Sequence, residues 1–160
     1  MLLSTLSLDF SAKVWIYMAD RALNWEETDQ ARKAVYHFAE QWSSHNRALL
    51  SYGDIFHHRF IVFMVDETNA GASGCSIDSS VHFIKSLEEK FNVSFFNREI
   101  FAYLEDEKVK VVSKNDFASV YQNGRINDET LMFNNLVKNR QEFEDAWVAP
   151  LGETWYKRFV

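Results

Sequence analysis

Residues 60–65, Phe60-Ile61-Val62-Phe63-Met64-Val65, carry no polar side chain at any position. A strand with one wet face alternates apolar and polar residues. An unbroken apolar run of this length, rich in β-branched and aromatic residues, predicts a central strand covered on both faces. Upstream, Leu49–His58 (LLSYGDIFHH) is a weaker, partly alternating strand, with His57–Arg59 as the tight link to the central one. Lys13–Ala19 (KVWIYMA) is a further strand, apolar on both faces. Between these two strands, Asn24 precedes Glu27 by three residues, the spacing of a capping box. Ala31, Ala34, Val35, Phe38 and Trp42 then form one helical stripe, which predicts a helix over about Trp25–Ser43.

Downstream, Asp66–Gly74 (DETNAGASG) is rich in small and turn-forming residues. Ser76 is placed to cap a second helix, whose inner arc is Ile77, Val81, Ile84, Leu87 and Phe91. A fourth strand, about Arg98–Leu104, turns through Glu105-Asp106-Glu107 into Val109–Val112. Ser113 to Asp116 and Asn139 to Glu142 repeat the capping spacing, opening a short helix stopped by Gly124 and a last helix running to Trp147. Leu131–Val137 reads equally as a strand or a helix start. The order strand, helix, strand, strand, helix, strand is that of a ferredoxin-like split βαβ fold. The expectation is an α+β chain with an antiparallel sheet and two helices on one face. It forms a single domain, with a core at about 13–112 and a C-terminal hairpin and helical elaboration at about 113–160.

The 160 residues are 47% hydrophobic and 25% charged, as in a folded globular protein. Seventeen basic against 23 acidic residues give a net charge of −6, which disfavours nucleic acid as a partner. Aromatic residues make up 16% of the chain, so the tail rings Trp155, Tyr156 and Phe159 either close the core or form a homodimer interface. One cysteine, Cys75, allows no internal disulfide. The N-terminal MLLSTLSLDFSAK lacks a basic start and a cleavage site, and no run approaches the ~18 apolar residues of a membrane span. A cytoplasmic protein without a membrane partner is expected.

The second helix start draws together the chemistry-bearing residues. Unpaired N–H groups and the helix dipole favour a thiolate at Cys75 or a bound anion, with Ser73 and Ser76 as further donors. His82, one turn on, and His45, after the first helix, are the candidate bases, with Asp78 nearby. If the first and third strands leave the sheet on one rim, Arg21, Asp66 and Glu67 meet there, and Arg98 faces them. His45 then lies on the opposite rim. No HExxH or CxxC motif points to a metal, and no GxxxxGK[ST] or GxGxxG loop to a nucleotide, so neither metal nor cofactor is expected.

WIYMADR, QWSSH, RFIVFMVDE, ASGCSIDSSV, FNNLV and the closing W-x-x-R-F span about Val14–Phe159. Together they resemble a family of small bacterial proteins of unknown function, whose members often carry the label "ABC transporter ATPase". The chain has no Walker A loop, so the resemblance implies no P-loop ATPase. It does imply that Arg21, His45, Asp66, Glu67, Ser73, Cys75, Asp78 and Arg98 occupy motif positions. Three functions follow as expectations. The first is binding of a small anionic ligand at the Asp66–Ser80 loop. The second is a hydrolase or transferase using Cys75, and the third is a module that docks through its aromatic tail.

Overall fold

The computed structural model describes residues 7–45, 50–66 and 74–160, with side chains for 7–42, 50–66 and 78–160. Strand β1 (Lys13–Met18) leads into helix α1 (Trp25–His45), followed by β2 (Leu50–Phe56), β3 (Phe60–Asp66) and α2 (Gly74–Phe91). Then come β4 (Ile100–Glu105), β5 (Lys108–Ser113), α3 (Lys114–Gln122), β6 (Leu131–Phe133), α4 (Arg140–Ala146) and β7 (Val148–Pro150). Two short 3-10 turns, Leu151–Glu153 and Trp155–Phe159, end the chain. The fold class is α+β, with two antiparallel sheets ordered β1-β3-β2 and β5-β4-β6-β7. Leu131–Phe133, the first part of the ambiguous segment, is a strand.

Every residue of β3 is buried, because each face meets a separate cluster. Ile61, Phe63 and Val65 pack under Ala31, Val35 and Trp42 of α1 and Ile84, Leu87 and Phe91 of α2. Phe60, Val62 and Met64 pack on the other side against Ala102, Phe133, Phe143 and Trp147. The second sheet is itself two-faced. Phe101, Tyr103 and Met132 turn away from the first sheet into a third cluster with Phe117, Leu151 and Tyr156. The layers therefore run helix pair, three-stranded sheet, four-stranded sheet, then α3 and the C-terminal turns.

The caps at Asn24, Ser113 and Asn139 form. Asn24 and Glu27 exchange side-chain and backbone bonds of 2.8 and 3.0 Å. Ser113 accepts from the Asp116 N–H at 3.1 Å, and Asn139 from the Glu142 N–H at 2.8 Å. Gly124 follows α3 at φ 85°, a conformation that costs glycine nothing.

The ferredoxin-like detail does not carry over. β1 pairs with β3 antiparallel, Lys13 opposite Val65 and Met18 opposite Phe60, whereas the split βαβ unit requires these two strands to be parallel. β4 leaves the first sheet and pairs with β5 and β6. Both of its faces are apolar, so it finds burial between two layers rather than at an edge. β1 is left as an outer strand of the first sheet. The second helix also begins earlier than its serine cap: Ser76 lies inside the first turn of α2.

Gly53 sits in β2 where α1 crosses closest. A Cβ there would fall 2.8 Å from the ring of Phe63 and 2.8 Å from Val35 Cγ1. Gly53→Ala should cost about 1–3 kcal/mol through this overpacking. The expected readout is a thermal midpoint lowered by about 2–4 °C per kcal/mol, and an unchanged midpoint would show that α1 does not press on β2.

Candidate functional site

Antiparallel pairing of β1 and β3 separates residues expected to meet. Arg21 follows β1, at the end of the sheet where β3 begins, while Asp66 closes β3. Six residue steps at ~3.3 Å place them about 20 Å apart along the sheet. Arg21 instead forms a two-bonded pair with Glu27, both at 2.9 Å, and donates to the Phe91 carbonyl at 2.7 Å. It thus ties the start of α1 to the last turn of α2. Asp66 is buried and accepts the Asp9 N–H at 3.0 Å, anchoring the N-terminal segment.

The same pairing corrects the position of His45. β1 and β2 both run antiparallel to β3, so α1 returns from the end of β1 to the start of β2, where Leu50 pairs with Asp66. Ser51 Oγ donates to the Ala39 carbonyl at 2.6 Å, fixing the later part of α1 beside that strand start. The backbone therefore carries His45, the last residue of α1, toward the rim from which β3 exits. α2 begins after that exit, with Cys75 in its first turn. The side chains of His45, Cys75 and Ser76, and all of Glu67 and Ser73, lie outside the described residues. Asp78 and His82 are exposed on α2. His57 and His58 form the β2–β3 turn at φ 55° and 56°, and their rings diverge. His58 Nδ1 lies 2.9 Å from Thr28 Oγ1, while His57 packs on Phe133, where burial lowers its pKa. Among the described residues no group of three or more His, Cys, Asp or Glu side chains is placed to hold a metal, and no helix is long and apolar enough to cross a membrane.

Among the described residues, Arg98 borders a cleft. A cleft of about 820 Å³ runs along the outer side of β1. One wall comes from Tyr17, Val81 of α2 and the Phe95–Arg98 segment, the other from Ile100, Asn135–Lys138 and Trp155. Local chemistry places each wall. Asn92, at φ 53°, ends α2 in a left-handed turn, and the Val93 N–H reaches the Glu88 carbonyl at 3.3 Å. Ser94 then pairs with Asp20, which sends Phe95–Arg98 along the cleft. Opposite, Asn134 and Asn135 accept the indole N–H groups of Trp155 and Trp147 at 2.9 and 3.0 Å. These asparagines belong to the FNNLV segment, so their polar groups hold rings in place. The tail is spent internally as well. Tyr156 is buried, its hydroxyl donating to the Phe133 carbonyl at 2.7 Å, and Trp155 and Phe159 pack on Phe101.

Among the described residues the charged side chains lining the cleft are those of Lys13, Arg98 and Lys138. Arg98 and Lys138 have no carboxylate partner among the described residues. Reading the sequence alone missed Lys138, Leu136 and the outer side of β1, because nothing local marks a strand as an edge. Comparison with protein-family models, curated proteins and solved structures gives no match, and the geometry carries the functional reading.

Arg21 and the Asn24 N–H together hold the Glu27 carboxyl down at about 2. A depressed carboxylate contributes stability that is complete above its unfolded pKa and lost as pH falls through the folded one. The Glu27 contribution is therefore lost between about pH 4.5 and 2. Urea midpoints of the native protein and Glu27→Gln should converge on acidification across that window. A constant gap would show that the pair does not couple to folding.

Proposed function

We propose that this chain is a cytoplasmic binding protein for an anionic, partly apolar ligand held in the cleft beside β1. One observation carries the reading. In a protein of net charge −6, Arg98 and Lys138 stand on an apolar cleft with no carboxylate partner among the described residues. Cationic residues set among rings suit a ligand with a carboxylate or phosphate at one end and apolar surface at the other, since charge steers it and apolar burial retains it. The single cysteine favours a reducing compartment. Arg98, Lys138, Phe96 and Leu136 are the residues assigned to contact the ligand.

The test uses 8-anilinonaphthalene-1-sulfonate, an aromatic sulfonate, as probe. Saturable binding to the folded protein is expected, weakened about tenfold in the Arg98→Glu/Lys138→Glu double variant, which corresponds to about 1.4 kcal/mol. Both charges are exposed, so the variant should keep its thermal midpoint. Equal affinity for native and variant protein would remove these cations from the site.

A second reading takes the end of α1 and the start of α2 together: a hydrolase or transferase with Cys75 as nucleophile and His45 or His82 as base. It predicts alkylation of Cys75 in the folded protein with a midpoint below the free-thiol value of about 8.5. Absence of labelling before denaturation would make Cys75 a packing residue and end this reading.

A further inference from the structure

We propose that the ligand of this cleft is an extended peptide segment with acidic side chains, added to the outer side of β1 as a fourth strand of the first sheet. The inference rests on the cleft reading above and specifies its ligand. It starts from backbone parity. In an antiparallel ladder both polar groups of a residue point to the same side, and sides alternate along the strand. The Ala19 N–H donates to the Arg59 carbonyl across the β1–β3 ladder, so odd-numbered residues of this strand face β3. Even-numbered residues face outward, and two of them show it directly. The Val14 N–H donates to the Lys138 carbonyl at 3.0 Å and the Asp20 N–H to the Ser94 carbonyl at 2.9 Å. Between these occupied positions lie Ile16 and Met18. Their outward N–H groups have no partner among the described residues, and both residues line the cleft.

An open strand edge is ordinarily guarded by proline, by charge or by a bulge, because it templates further pairing. Val14–Met18 contains none of these. The opening between the partnered residues Val14 and Asp20 spans about 20 Å at ~3.3 Å per residue, room for a strand of roughly four or five residues. Such a strand would send alternate side chains to the two walls, one set toward Tyr17 and Phe96, the other toward Ile100 and Leu136. Phe96 and Leu136 are large apolar side chains left exposed, one on each wall. Charge then selects the occupant. Arg98 and Lys138 sit on opposite walls with no carboxylate partner among the described residues, so glutamate or aspartate side chains on the incoming strand are matched and lysines are repelled. Main-chain bonds supply affinity and the charges supply choice, as in other edge-strand recognition.

The probe is acetyl-Glu-Val-Thr-Val-Glu-amide, with hydrogen exchange of the Ile16 and Met18 amides read by NMR on the full chain. At about 1 mM peptide, exchange at these two amides should slow by about tenfold while that of Val14 is unchanged, since only the former gain a partner. The peptide should also displace the anilinonaphthalene sulfonate. Two controls decide the mode. The same peptide N-methylated at its three internal residues has lost its central donors and should not protect. The lysine-ended analogue should bind at least about tenfold more weakly. Equal binding of the N-methylated peptide overturns strand addition. No protection by the acidic peptide, with sulfonate binding still lost in the charge-reversed variant, also overturns it and leaves the anion reading standing. Loss of both signals ends both.

Discussion

Antiparallel pairing of Lys13–Met18 with the doubly buried strand Phe60–Asp66 is the constraint on which the remaining geometry depends. β3 cannot lie at an edge: seven consecutive buried residues need a strand on each side and a layer on each face. With β2 joined to it by a short turn, the remaining side falls to β1. Its antiparallel direction then decides which ends meet. The start of α1 and the end of α2 come together, where Arg21 bridges Glu27 and the Phe91 carbonyl. The end of α1 and the start of α2 go to the other rim.

Placing β4 in the second sheet follows from the same economy of apolar surface. Phe101 and Tyr103 turn to one side and Ala102 to the other, into two different clusters. In the second sheet both faces of β4 are covered, one by the first sheet and one by α3 and the C-terminal turns. Burying a Phe side chain is worth roughly 1.5–3 kcal/mol, far more than the difference between one set of strand bonds and another. The aromatic richness of the chain is thereby absorbed: one ring set under the helices, one between the sheets, one beneath the C-terminal turns. Asn134, Asn135 and the Phe133 carbonyl take up the polar groups that three of those rings bring inward.

What could be read from the sequence was what short-range physics decides. The Asn24–Glu27, Ser113–Asp116 and Asn139–Glu142 caps are set by bonds spanning three residues, and all form. The apolar run at 60–65 identified its own burial. Strand direction was not legible, because the order strand, helix, strand, strand, helix, strand is shared by the split βαβ unit and by this arrangement. The error carried straight into the site. A parallel pair would bring Arg21 and Asp66 to one rim and leave His45 on the other; the antiparallel pair does the reverse. Of the residues assigned to the site, Arg98 reached the cleft. Its companions Lys13 and Lys138 are 85 and 40 positions away in sequence, brought near by layers that no local pattern encodes.

An exposed β edge is a hazard as well as an opportunity, and the geometry around β1 bears on both. A second sheet approaching edge to edge must align a broad, twisted surface with the free strand. Here the edge lies within a cleft whose walls come from different layers, α2 with Phe96 on one side and Leu136–Lys138 on the other. Those walls flank the edge, one from each layer. The bonds at Val14 and Asp20 close the edge at both ends, which limits any added strand to the residues between them. Recessing the edge thus replaces the proline or inward charge that would otherwise guard it, and keeps its donors available. Arg98 and Lys138 on the two walls add a choice by charge to that opening, which matches the acidic strand proposed for it.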